Sequence, residues 1–153
     1  MHFPMGYFDG AAQANLGGCG VRLWLNRTRS YNCWMGIGHS SNNFAELVVV
    51  CSLVYWAHRL GIKELRILGD SRIVINWLKG KSGLVTTNLH YWCQRVKEIL
   101  SFFTSVSYDH VLRQYNQEAG LLSKQGLSSQ IGIIYYLEYE DALEVNLGSI
   151  KVF

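Results

Sequence analysis

Proline occurs once in these 153 residues, at Pro4. Without prolines or a low-complexity tract there is no room for a disordered linker, and the length suits one domain with a sizeable core. Paired cysteine motifs are missing as well. Cys19, Cys33, Cys51 and Cys93 are scattered through apolar stretches, and no two form a Cys-x-x-Cys pair. That scatter fits buried free thiols of a reducing compartment, not a zinc site or a disulfide frame. The densest apolar stretch, Leu47 to Ala57, falls short of the roughly 20 residues a membrane span needs. Met1 to Met5 is too short and too polar for a secretion signal. Charge of one sign is not in large excess: the net +3 permits a polyanionic partner without demanding one. No internal repeat is present. These absences predict a soluble intracellular domain, nuclear or cytoplasmic, monomeric and without a membrane partner.

What is present is alternation, then helical periodicity. Tyr7 to Ala12 reads as a strand. Cys19 to Asn26 alternates, with Val21, Leu23 and Leu25 on one face and Arg22 and Trp24 on the other, and Tyr31 to Ile37 alternates again. The pattern predicts three antiparallel strands in a row. Phe44 to Leu60 is long, apolar and free of glycine and proline, so it is predicted to be a helix covered on more than one side. Glu64 to Gly69 is a short strand, and Ser71 to Lys79 a helix. Thr86 and Thr87 cap an amphipathic helix through Phe103. Ser105 to Leu112 is a fifth strand, and Asn116 to Gln125 a last helix ended by Gly126. Ile131 to Phe153 reads as weak strands around Glu140-Asp141 or as a docked tail. A strand–helix–strand order implies a right-handed crossover and parallel pairing. The expected fold is therefore mixed α/β, with a five-stranded mixed sheet flanked by helices. Residues 1–127 form the domain, and 128–153 form an extension packed on it or trailing it.

Three acids stand out against this pattern. Asp9 lies in a strand, where Asp is depleted. Glu46 begins a buried helix stripe continued by Val50, Leu53 and Ala57. Asp70 lies at the end of an apolar strand. Each has an ordinary local use. Asp9-Gly10 can turn, Asn43 to Glu46 has the spacing of a capping box, and Asp70 can cap the helix that follows. Taken together, a strand, a buried stripe and a strand end can meet at one edge of such a sheet. Clustered carboxylates repel one another, and a hard cation with oxygen ligands relieves them.

These residues also carry a family resemblance. Phe8-Asp9-Gly10-Ala11, Asn42-Asn43-x-Ala45-Glu46, Gly69-Asp70-Ser71, His110-Val111-x-Arg113 and Asn116-x-x-Ala119 follow the order and spacing of the ribonuclease H family. The short final segment resembles the ribonuclease H-like domains of plant non-LTR retroelements and their single-domain relatives. The resemblance covers about residues 6 to 127. It implies the ribonuclease H fold and hydrolysis of the RNA strand of an RNA/DNA hybrid. It also implies two Mg²⁺ ions, with Mn²⁺ as a substitute, held by Asp9, Glu46 and Asp70. Asn42 and Asn43 resemble the family's contacts to the RNA sugar edge, where amides suit a 2′-hydroxyl that both donates and accepts. Ser71 and Arg72 stand where family members touch nucleic acid. Arg113 stands near the phosphate in the family, or else pairs with Glu118 or Asp109. Lys79 and Lys81 either meet DNA phosphates or are simply solvated. A reverse transcriptase, as a separate or lost domain, is the protein partner the resemblance suggests.

One position departs from the pattern. The family motif ends in Ala-Asp, and this chain has Ala119-Gly120. Glu118 is about 200° around the helix from that position and points away. The expectation is a nuclease impaired at the fourth acidic position. The alternative is an inactive module that binds nucleic acid or a protein partner. A 3′–5′ exonuclease of similar fold would resemble Asp-x-Glu in the first strand, and position 11 is Ala.

Overall fold

The computed structural model describes residues 3–84 and 87–153. In chain order the elements are β1 (Met5–Gln13), β2 (Leu16–Trp24), β3 (Arg29–His39), α1 (Asn42–Arg59), β4 (Glu64–Gly69), α2 (Arg72–Leu78), α3 (Thr87–Leu100), β5 (Ser105–His110), a 3₁₀ turn (Arg113–Tyr115), α4 (Gln117–Leu127), β6 (Ile133–Glu140) and β7 (Leu143–Lys151). Among the described residues the strands form one mixed sheet in the order β5-β4-β1-β2-β3-β6-β7. β1, β2 and β3 are antiparallel, and β4 and β5 run parallel to β1 on its other side. The parallel pairing follows from the helical crossovers that precede β4 and β5.

The core lies between the sheet and α1. Phe8, Val21, Leu23 and Cys33 rise from the strands, and Leu47, Val50, Leu53 and Val54 descend from α1, all essentially buried. α3 covers the far side of α1 with Leu89, Val96 and Ile99. That second cover is why α1 is apolar nearly all round, as its sequence predicts. All four cysteines are buried free thiols. Among the described residues, no helix is long and apolar enough to cross a membrane. Of the expected cap at Thr86-Thr87, Thr86 lies outside the described residues and Thr87 opens α3.

The sheet has seven strands where five are predicted. β6 pairs antiparallel with β3, and β7 pairs with β6. The strands are joined at Asp141-Ala142, both at positive φ (51° and 66°). A two-residue turn of this kind is usually announced by glycine. Without it the sequence offers weak strands around Glu140-Asp141 as only one of two readings, and the structure adopts that one. Ala14-Asn15, with the same pair of angles, likewise joins β1 to β2. Gly126 does not end the last helix but lies in its final turn, where a Cβ would come within 2.5 Å of the Met35 carbonyl oxygen and only glycine fits.

Ala142 gives a direct test of the hairpin. An alanine in the left-handed region costs roughly 1–2 kcal/mol, which glycine avoids. Ala142→Gly is expected to stabilise the protein by about 1 kcal/mol and raise its thermal midpoint by roughly 2–4 °C. A lowered midpoint would argue against this turn.

Candidate active site

The three acids are freed from the local uses that their sequence contexts allow. Asp9 lies in mid-strand, opposite Gly20 of β2, and not in a turn. α1 is capped by Ser41, whose hydroxyl accepts from the Phe44 N–H at 3.3 Å. The cap therefore falls two residues before Asn43, and Glu46 is too far along the helix to reach back to it. Similarly Ser71, not Asp70, caps α2 by accepting from the Val74 N–H at 3.4 Å. In each case a serine hydroxyl takes the cap and leaves the carboxylate available.

Close packing then brings the acids together. A Cβ on Gly10 would lie 2.5 Å from the Ala45 carbonyl carbon and 2.6 Å from the Glu46 nitrogen. Only glycine lets β1 approach the first turns of α1 this closely. Glu46 thereby comes beside Asp9. β4 runs parallel to β1 with Gly69 level with Phe8, which brings Asp70 to the same end. Each of the three residues offers a carboxylate oxygen, and these lie within 4.8 Å of one another.

The acids are costly where they sit. Burial, the largest cause, and the neighbouring Asp9 charge push the Glu46 carboxyl up to about 9. Asp9 is also raised, chiefly by burial, while hydrogen bonds from Glu46 and Ser123 pull it back. Glu46 Oε2 is buried and has no hydrogen-bond partner. A set of hard oxygen donors with one orphaned lone-pair site fits a divalent cation such as Mg²⁺.

The cluster opens into a cleft of about 810 Å³ lined by Asp9, Asn42, Asp70, Arg113, Gly120 and Lys124, among others. Asn42 and Asn43 are exposed in the first turn of α1, and Arg72 is exposed at the start of α2. Of these, Asn42 lines the cleft. Ser71 is engaged in its cap. Arg113 pairs with neither of the acids expected for it. Glu118 is held by Arg22 and Asp109 by Arg66, while Arg113 Nε lies 3.3 Å from Asp70 Oδ2. Arg113, the first residue of the 3₁₀ turn, thus pairs with the acid that follows β4. Its side chain is 93% exposed, so this ion pair holds it only weakly.

Gly120 faces the cluster. A Cβ built there would lie 3.4 Å from Asp9 Oδ2. The absent side chain would therefore point at the acids, whereas Glu118 points out to Arg22. Two polar residues, Ser123 in α4 and Asn116 at its N-cap, went without a role in the sequence. Ser123 Oγ lies 3.2 Å from Asp9 Oδ2, and Asn116 Nδ2 donates to the Phe8 carbonyl at 2.9 Å. Positions 116, 120 and 123 share one helical stripe, which is the signal that would have found them.

A mixed sheet with its antiparallel strands first, and acids gathered where β1, α1 and β4 meet, defines the ribonuclease H fold. The chain belongs to the ribonuclease H family: the family profile described as reverse transcriptase-like matches residues 7–126. It is 30% identical over 124 residues to ribonuclease HI of Halobacterium salinarum, a stretch covering 79% of this chain and 62% of that protein. The chain thus spans less than two thirds of that relative's length. It is also similar to the crystal structure of RNase H1 from Halobacterium salinarum NRC-1, with a TM-score of 0.74 and 27% identity, over 81% of this chain and 96% of the other. LC11-RNase H1, solved in complex with RNA/DNA hybrid, shares the fold at a TM-score of 0.74 and 20% identity, over 80% of this chain and 95% of its own.

The raised Glu46 carboxyl ties stability to pH, and a cation bound at the cluster would couple to the same proton. Between the ordinary glutamate value of 4.5 and about 9, folded Glu46 keeps a proton that the unfolded chain has lost. Its stability contribution is therefore full below the lower value and is lost as pH rises through the upper one. A cation that binds the carboxylate must expel that proton. In EDTA the thermal midpoint is expected to fall between about pH 6 and about pH 8.5, and Mg²⁺ should raise it more at the higher pH. Glu46→Gln should flatten both trends. A metal-free midpoint that rises over this range would contradict the assignment.

Proposed function

We propose that this domain hydrolyses the RNA strand of RNA/DNA hybrids with a divalent cation bound at Asp9, Glu46 and Asp70. The observation that carries this reading is the convergence of three carboxylate oxygens within 4.8 Å at the mouth of an open cleft. Family membership supports it, as does the hybrid bound by LC11-RNase H1.

In this reading the carboxylates of Asp9, Glu46 and Asp70 would together hold the cation. Bound there, Mg²⁺ or Mn²⁺ lowers the pKa of an attacking water and stabilises charge on the leaving oxygen. The chain's own residues supply the rest. Asn42, at the rim of the cleft, offers an amide that donates to and accepts from a 2′-hydroxyl, which DNA lacks. Arg113, exposed and loosely held by Asp70, is free to meet a phosphate oxygen near the scissile bond. Lys124 lines the same cleft and can neutralise the nucleic-acid backbone. Asn43, Ser71 and Arg72 flank this surface as further contacts to the hybrid.

Gly120 favours a second reading, in which the domain binds the hybrid and no longer cuts it. A carboxylate at this position would stand against Asp9, and without it one flank of the cluster lacks a ligand. The two readings separate on one substitution. Gly120→Asp is expected to raise Mg²⁺-dependent cleavage of labelled RNA in a hybrid well above that of the unchanged protein. Asp9→Asn in that background should abolish it, because a neutral amide cannot replace a carboxylate ligand. A folded Gly120→Asp protein with no gain would favour the binding module.

Binding is checked independently of cleavage. In Ca²⁺ or EDTA the protein should hold RNA/DNA hybrid more tightly than duplex DNA, and affinity should fall as salt rises. Equal affinity for the two duplexes would sink the 2′-hydroxyl contact proposed for Asn42.

A further inference from the structure

α4 is fastened to β1 by two buried polar side chains. Asn116 holds the Phe8 carbonyl, and Ser123 reaches the Asp9 carboxylate. They are 4% and 1% exposed and lie two helical turns apart on one stripe. Gly120 sits between them. Apart from α4's own backbone, the space its Cβ would fill has one neighbour, Asp9 Oδ2. On the α4 side, then, Asp9 meets a gap at position 120 and a hydroxyl at position 123. Its other close polar neighbours, Glu46 and Asp70, are acids that repel it when all are ionised.

The Ser123 proton has two acceptors in reach, the Gly120 carbonyl at 2.7 Å and Asp9 Oδ2 at 3.2 Å. A helical serine serving only its own helix would bond the carbonyl one turn back. Beside an ionised carboxylate the choice reverses, because a hydrogen bond to a charged acceptor is about twice as strong. Ser123 itself is only 1% exposed, while the Asp9 carboxylate beside it faces the cleft.

Resting on the reading of Asp9 as a metal ligand, we propose that Ser123 is a positioning residue. It donates to the ionised Asp9 carboxylate and fixes its orientation toward Glu46 and Asp70, a constraint that α4 supplies from position 123 because position 120 carries no side chain. Ser123 need not touch the cation to set how well Asp9 binds it.

The test uses the full chain, with Mg²⁺ binding followed by calorimetry and by the Mg²⁺-induced rise in thermal midpoint. Ser123→Ala is expected to weaken Mg²⁺ binding about tenfold, the size of a lost charge-assisted hydrogen bond. The metal-free midpoint should move little. Cleavage should lose kcat at saturating hybrid and keep KM, since the cleft contacts are untouched. Ser123→Cys, with similar shape and a weak S–H donor, should fall between Ser123→Ala and the unchanged protein. A folded Ser123→Ala or Ser123→Cys protein with undiminished Mg²⁺ affinity would overturn the proposal. Asp9→Asn separates the two levels. If it binds Mg²⁺ as well as the unchanged protein does, the metal reading fails and this inference falls with it. If Asp9→Asn loses binding and both Ser123 variants keep it, only the role of Ser123 is overturned.

Discussion

Three carboxylates drawn out of water and toward one another form the constraint on which this domain turns. Left alone, the cluster is unfavourable: burial and neighbouring negative charge raise the Asp9 carboxyl and, above all, that of Glu46. The surrounding fold overcomes that cost. It contributes a large apolar core on one face of the sheet and a helix pinned by polar side chains on the other. The acids are held by structure that does not depend on them, as expected of a site whose local strain is offset elsewhere.

Glycine is the means of that holding. At Gly10 the backbone of β1 presses against the start of α1, and a Cβ at Gly20 would meet the Ala119 oxygen and Ser123 nitrogen of α4. The sheet around Asp9 is thus gripped from both faces, by α1 at Gly10 of β1 and by α4 at Gly20 of β2, the residue opposite Asp9. Glu46 on one helix and Ser123 on the other reach Asp9 only because of this approach. The site's precision is a matter of backbone packing before it is one of side-chain chemistry.

The cluster is lopsided as a result of position 120. The β1, α1 and β4 sides each present a carboxylate, while the α4 side presents a gap and a hydroxyl. Nothing else in α4 has been loosened to match. Ala119 and Leu122 are buried, Asn116 keeps its bond to β1, and Gly126 packs against β2 and β3. The helix is seated as though its full complement of site residues were in place. The seating of α4 therefore does not depend on a carboxylate at this position, where Gly120 faces Asp9 across a gap.

Much of this was legible in the chain itself. Alternation in β2 and β3, the apolar sweep of α1 and the strand–helix order determined a mixed sheet with parallel crossovers, because those patterns follow from side-chain periodicity alone. The positions of Asp9, Glu46 and Asp70 relative to those elements followed too. What the sequence left open was whether each acid served its own backbone or a shared site. Asn43-Phe44-Ala45-Glu46 and Asp70-Ser71 are both adequate caps on paper. A shift of one or two residues, to Ser41 and Ser71, decided the matter, and local sequence carries too little energy to choose between neighbouring caps. The β6–β7 hairpin, turning without glycine, and the partner of Arg113 were likewise settled only by tertiary structure. Both depend on which strand edge and which charge lie nearby in space, and residues more than 40 positions away in the chain supply them.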